Sequence, residues 1–418
     1  MTAAYKIRTA CALCAAPQSS LSRVLELAAT PPANEFVRQD ELDKIQDLIP
    51  LSLLLCEQCG HVQLAEIVDP ERLFRHYVYV SGTSSVFVSH FARFAGDLAA
   101  RFHLDATSFV VDVGSNDGTL LKQFQALGIG KVLGIDPALE IVKAAVVAGV
   151  PTREGFFTQT MADDIRACEG PADLLCANNV FAHAEDLSGF AGAVRAMLSD
   201  EGVFVFEVSY LADVIQDLLF DTIYHEHLAY HAVEPLVRFF DRLGLRLFDA
   251  ERVGTHGGSI RCFVCPARAS HVNTDRLAGL LKRERELGLF SPGVYQRFKD
   301  RISELGRQLR TRVDQLRSQG QRIAGYGAPA KLTTLMYEFG LDRNSIDFIV
   351  DDSAWKQGLY TPGTHIPVLR PDQLRGRQPG ACIVFAWNFA DSIMKKNTDY
   401  TEAGGRFIVP LPHLQENR

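Results

Sequence analysis

Tyr224-His225-Glu226-His227 sets a phenol, two imidazoles and a carboxylate in four consecutive positions. Histidine is the side chain best suited to accept a proton near neutral pH, and a neighbouring carboxylate can orient it or raise its basicity. The run therefore reads as a centre for proton abstraction. Two histidines around a glutamate could also hold a metal, but H-E-H is not the HExxH spacing that puts two ligands on one helical face. A polar surface between domains is the plainer alternative.

A second cluster is Val110-Val-Asp112-Val-Gly114-Ser-Asn116-Asp117-Gly118, an apolar run entering a glycine-rich turn that opens a helix. Glycine admits close approach of a ligand to the backbone, and a helix start offers unpaired N–H groups. A dinucleotide turn would need G-x-G-x-x-G, and Asn116 stands where its second glycine should be. The pattern D-x-G-x-x-x-G instead resembles the first motif of class I methyltransferases, which bind S-adenosylmethionine. On that resemblance Asp136, in Gly-Ile-Asp136-Pro, takes the ribose hydroxyls at the end of a second strand. Phe156 and Phe157 flank the adenine or pack in the core, and Asn178 and Asn179 close a fourth strand beside the donor methyl.

Cys11-x-x-Cys14 and Cys56-x-x-Cys59 are two CxxC pairs, each able to point two thiolates into one site. Together they predict a four-sulfur structural zinc centre with no open position for substrate. Cys262 and Cys265 repeat the spacing inside an apolar strand-like run, where alternation sends them to opposite faces.

These residues need scaffolds. Short apolar runs alternate with helical stretches from about residue 80 to 270, the grammar of a parallel sheet covered by helices. Leu305, Leu309, Val313 and Leu316 mark an amphipathic helix, after which strand-like runs resume. The expected fold is α/β: a zinc-binding module over 1–75, a Rossmann-like class I methyltransferase core over 76–270, and a long helix with a smaller Rossmann-like domain over 271–418. Two runs of the later part invite ligands. His256-Gly257-Gly258-Ser259-Ile-Arg261 is a candidate diphosphate cradle or, alternatively, a hairpin turn. Gly325-Tyr-Gly327-Ala-Pro329-Ala330-Lys331 is half a dinucleotide fingerprint, with Ala330 for the third glycine and no N–H at Pro329. It reads as a degenerate nucleotide fold that closes the substrate site, with Lys331 on a phosphate.

The 418 residues are 47% hydrophobic and 22% charged, with a formal charge of −7. That balance argues against a nucleic-acid partner. No apolar run reaches membrane-spanning length, and no signal peptide opens the chain, so the expected location is the cytoplasm, without a membrane partner. Oligomeric state has no signal in the sequence.

Taken in order, the CxxC pairs, DVGSNDG, YHEH, HGGSIR and GYGAPAK resemble the sugar C-methyltransferases across nearly the whole chain. That family methylates C-3 of nucleotide-linked 4-keto deoxysugars, using S-adenosylmethionine and no catalytic metal. The resemblance implies that His227 is the general base, that Tyr224 and Glu226 line the sugar site, and that His225 lies on the substrate side. His183, in Asn-Asn-Val-Phe-Ala-His, and Tyr77 or Tyr79, in His-Tyr-Val-Tyr, match further active-site positions.

Overall fold

The fold is that of a computed structural model describing residues 4–74, 82 and 85–417, with residues 85–87 and 256 described by their backbone. Tyr77 and Tyr79 lie outside the described residues. Among those described, four sheets form.

The N-terminal part holds β1 (Lys6–Ile7), β2 (Leu21–Thr30), β3 (Ile49–Cys56), β4 (Val62–Leu64) and β5 (Glu66–Ile67). β2, β3 and β4 form an antiparallel sheet, and β1 pairs with β5. Each CxxC pair sits in a turn closed the same way. Ala15 N donates to Cys11 O at 2.9 Å and Gly60 N to Cys56 O at 2.8 Å, both from positive φ. At Gly60 a Cβ would strike the Phe290 ring, so this turn also packs against the distal chain. The two turns face each other, with Cys11 Sγ 3.6 Å from Cys59 Sγ and Cys14 Sγ 3.5 Å from Cys56 Sγ. All four sulfurs lie within 4.8 Å of one another. Zinc–sulfur bonds of about 2.3 Å in a tetrahedron require sulfurs about 3.8 Å apart, so the cluster fits the ion.

The central sheet contains β6 (Phe109–Val113), β7 (Lys131–Asp136), β8 (Thr152–Glu154), β9 (Ala172–Asn178), β10 (Leu198–Ser209), β12 (Leu245–Val253) and β13 (Ser259–Pro266). The order is β12-β13-β10-β9-β6-β7-β8, with β13 antiparallel to both neighbours. β6 and β9 are apolar almost throughout because helices cover both faces of a parallel sheet. Cys262 and Cys265 point into two different cores, as strand alternation requires. The short β11 (Ala229–Tyr230), just past the YHEH run, leaves this sheet and pairs with β4.

The C-terminal sheet has the order β16-β15-β14-β17-β18-β19, built from β14 (Ile323–Tyr326), β15 (Phe348–Val350), β16 (Val368–Leu369), β17 (Ala381–Val384), β18 (Phe407–Val409) and β19 (Gln415–Asn417). The helix Pro292–Ser318 joins the halves, burying Leu305, Leu309, Val313 and Leu316. Arg301 on it donates to Ile215 O and Gln216 O, both at 2.9 Å.

The two parallel sheets repeat one device. After β6, Gly114 N donates to Ile135 O at 2.7 Å, and Asp136 accepts from Asn116 N and Ala138 N, each at 2.9 Å. After β14, Gly327 N donates to Val350 O at 2.7 Å, and Asp351 accepts from Ala328 N at 2.6 Å and Ser353 N at 2.7 Å. Both glycines have positive φ, and a Cβ would strike Val180 at Gly114 and Ala386 at Gly327. Close packing at the strand edge thus dictates glycine there.

Cys14→Ser should lower bound zinc below one equivalent and reduce the melting temperature. Metal analysis beside thermal unfolding checks this, and a zinc-free variant with wild-type stability would remove the structural role.

Candidate active site

Ligands of doubly wound sheets bind outside the carboxyl ends of the strands, at the point where strand order reverses. That point falls between β6 and β9 in the central sheet and between β14 and β17 in the C-terminal one. The two edges face a single cavity of about 1220 Å³. Asp112, Gly114, Asn116, Asp136, Asn178 and Asn179 line it from the central sheet, with Phe156 and Phe157 after β8. Phe157 also packs edge-on against Phe190, whereas Phe156 is 38% exposed. Gly118 and Asp117 are not among the lining residues. Gly118 begins the helix Thr119–Ala126, and Asp117 accepts from Thr119 Oγ1 at 2.6 Å and from Gly82 N at 3.1 Å.

The residues present fit S-adenosylmethionine. Both polar atoms of the buried Asn178 amide have no partner among the described residues. Burial raises the carboxyls of Asp112 and Asp136, Asp112 well above its ordinary range with the nearby Asp136 adding to the effect. A cationic ligand relieves that pressure, and a carboxylate already fixed by two backbone N–H groups has lone pairs left for two ribose hydroxyls.

The proton-handling residues stand between the two edges. Phe181, buried against Phe206 and the His231 ring, anchors the turn Phe181–His183 that follows β9. Leu228 N donates to Ala182 O at 2.8 Å and ties this turn to the YHEH loop, so the His183 and His227 rings stack at 5.1 Å. His227 Nδ1 lies 2.8 Å from Thr222 O. A carbonyl only accepts, so Nδ1 carries the proton and Nε2 presents its lone pair. The Tyr224 hydroxyl donates to that Nε2 at 2.9 Å, its ring folded onto His227 by the turn bond His227 N to Tyr224 O. Burial lowers the His227 pKa to about 4, opposed by the Thr222 carbonyl, and pushes His183 well below its ordinary value. Both are neutral at pH 7. His183 Nε2 is buried without a partner among the described residues.

The remaining expected residues fall elsewhere. His225 turns away from the cavity, its Nε2 on Pro50 O at 3.0 Å. Glu226 is 1% exposed and is not a lining residue, but it accepts from Asn34 Nδ2 at 2.7 Å, and Asn34 does line the cavity. The expected diphosphate cradle at 254–261 is corrected by the structure. Arg261 is buried on β13, bound to Glu207 at 2.7 Å and Glu251 at 2.9 Å, while buried Ser259 bonds Thr255 O. Gly258 packs against Asp213, and Gly257 lines a separate, smaller cavity with Trp387. His256 is described by its backbone alone. Lys331 does line the main cavity, its ammonium 2.9 Å from Asn388 Oδ1 and 4.0 Å from the Trp387 ring centre. Asn34, Asp351, Lys356 and Lys396 were not anticipated from the sequence. Asp351 had a readable signal, since SIDFIVDD ends an apolar run in acids much as KVLGID does.

A glycine turn, a strand-end acid and an unpartnered amide around one cavity define an S-adenosylmethionine-dependent methyltransferase. Residues 11–74 match a putative zinc binding domain, 87–249 a methyltransferase domain and 254–412 a C-methyltransferase C-terminal domain. The C-methyltransferase NovU of Streptomyces niveus is 34% identical over 389 residues, 93% of this chain and 92% of the relative. The chain belongs to that C-methyltransferase family. Among solved structures it is similar to an S-adenosylmethionine-dependent methyltransferase from Clostridium acetobutylicum, at 14% identity and TM-score 0.35 over 45% of this chain and 92% of that one. It is also similar to the CcbJ methyltransferase of Streptomyces caelestis, at 15% identity and TM-score 0.34 over 42% and 89%. Among the described residues no helix is long and apolar enough to cross a membrane.

Two outcomes follow from this geometry. Asp136→Asn should weaken S-adenosylhomocysteine binding by roughly tenfold or more in calorimetry, the order expected for hydrogen bonds to a charged group. Unchanged affinity would take Asp136 out of the site. The second concerns acid stability. Burial lowers His225 and His227 to about 4 and His231 to about 3, against 6.5 for an ordinary histidine. Below pH 6.5 the unfolded chain takes up protons that the folded chain refuses, so stability present above 6.5 is lost as pH falls toward 4. Urea midpoints should drop steeply between pH 7 and 5; equal midpoints would mean that these rings are charged in the fold.

Proposed function

We propose that the chain methylates a carbon alpha to the ketone of a nucleotide-linked 4-keto deoxysugar. The observation that carries this is one cavity bounded by two nucleotide-type strand edges, with a proton-ready His227 between them. We take 1–75 as the zinc unit, 76–270 as the methyl-donor unit and 271–418 as the unit that receives the sugar nucleotide. The second edge has the chemistry for that role: Asp351 for hydroxyls, and Lys331 and Lys356 for phosphate oxygens. The reading is also supported by the kinship with NovU.

A C–H bond becomes acidic beside a ketone. His227 Nε2 takes the alpha proton while Nδ1 stays on Thr222 O, which holds the ring and steadies its positive charge. The Tyr224 hydroxyl, freed from Nε2, donates to the ketone oxygen where negative charge collects, with His183 beside it as a second donor. S-adenosylmethionine supplies an electrophilic methyl group on a sulfonium sulfur. With that group bound, its methyl would pass to the enolate carbon, and the electron pair of the broken S–CH3 bond would remain on sulfur. The low pKa of His227 keeps Nε2 unprotonated through neutral pH.

Calorimetric titration with S-adenosylhomocysteine, then with dTDP, GDP, CDP and UDP, tests the substrate class. One nucleotide should bind; no response to any would sink the sugar reading. His227→Asn should lower kcat about a hundredfold or more, the scale of general-base catalysis, while the cofactor product binds within about twofold of wild type. Deuterium at the carbon alpha to the ketone should be lost on methylation, and its retention would move the methyl to oxygen.

A further inference from the structure

Between β2 and β3 the zinc module sends out residues 31–48, and this excursion reaches the C-terminal half at four places. Ala33 O accepts from Thr333 Oγ1 at 3.3 Å, and Gln46 Oε1 accepts from Gly363 N at 2.7 Å. Val37 and Tyr360 exchange backbone hydrogen bonds at 3.0 and 2.9 Å. The Lys356 ammonium sits 5.3 Å from the centre of the Phe36 ring. Near its start, Asn34 enters the cavity and donates to Glu226, the residue preceding His227. Where the excursion ends, Pro50 O meets His225. The Tyr-His-Glu-His loop is therefore held from outside its own domain, by the Pro50 carbonyl and the Asn34 side chain on two consecutive residues.

A carboxylate as deeply buried as Glu226 needs hydrogen-bond donors, and a neutral amide meets that need without neutralising it. Asn34 is thereby fixed against the loop, and the loop against Asn34. We infer that Asn34 is a positioning residue for His227, so that the zinc module contributes to turnover as well as to stability. The inference rests on the proton-abstraction reading above, because it is His227 whose placement it sets.

The test uses the full-length, zinc-loaded chain with Asn34→Ala, Glu226→Ala and the double variant. Asn34→Ala should lower kcat about tenfold or more, toward the roughly hundredfold cost of a catalytic group displaced by about 1 Å, while S-adenosylhomocysteine affinity and zinc content stay close to wild type and the melting temperature falls by a few degrees for the lost donor. The double variant should be no slower than Glu226→Ala alone, since both changes break one contact. Wild-type kcat in Asn34→Ala, or losses that multiply in the double variant, would overturn the inference. If the wild-type chain turns over no keto-sugar, the functional reading fails separately. Amide exchange over residues 224–228 then decides without substrate: faster exchange in Asn34→Ala supports the positioning role, and identical exchange ends it.

Discussion

A strand-to-helix turn leaves backbone N–H groups without partners, and in both mainly parallel sheets a carboxylate at the end of the next strand takes one of them together with the N–H two residues on in its own turn. Asp136 and Asp351 are these clamps. Each locks the geometry of a glycine turn whose glycine cannot be replaced without collision. Each also brings an acid to an open sheet edge, where polar ligands are met. A site between two such edges works only if their separation is fixed. The helix Pro292–Ser318 and the 31–48 excursion both span the halves, by bonds to Gln216 O on one side and to Tyr360 and Gly363 on the other.

Desolvation sets the chemistry between the edges. The Phe181–Phe206–His231 packing forms an apolar floor beneath the histidines. Surroundings of that kind suppress the imidazolium and preserve the base form. The Thr222 carbonyl then selects which nitrogen is free, and Tyr224 marks that nitrogen with its hydroxyl. Three ordinary contacts thus decide tautomer, protonation and direction together.

Much of this was legible in the sequence where a signal is local. The strands FVVDV, KVLGID and IAGY, the buried stripe of the long helix and the two CxxC turns all have periodicity or spacing that survives translation into structure. Contacts between distant segments leave no such trace. Nothing in TPPANEF announces that Asn34 meets Glu226, 192 positions later. Arg261 misled for a related reason. A glycine-rich turn beside an arginine looks like an anion cradle, yet the arginine's charge was already taken by Glu207 and Glu251, each on a neighbouring strand of the sheet.

The same long-range contacts bear on how the chain is made. The residues of the zinc module are made before the surfaces they pack against: Gln46 waits 317 positions for Gly363, and Ala28 N waits 310 for the carboxylate of Glu338. Even its sheet is extended by Ala229–Tyr230, from beyond the middle of the chain. Metal can gather four thiolates early, whereas the surfaces around them stay uncovered until residues 338 and 363 have followed. Such delayed closure exposes apolar surface and unpaired strand edges for the whole interval. In this molecule the part that a metal can gather early is also the part whose cover comes from far along the chain.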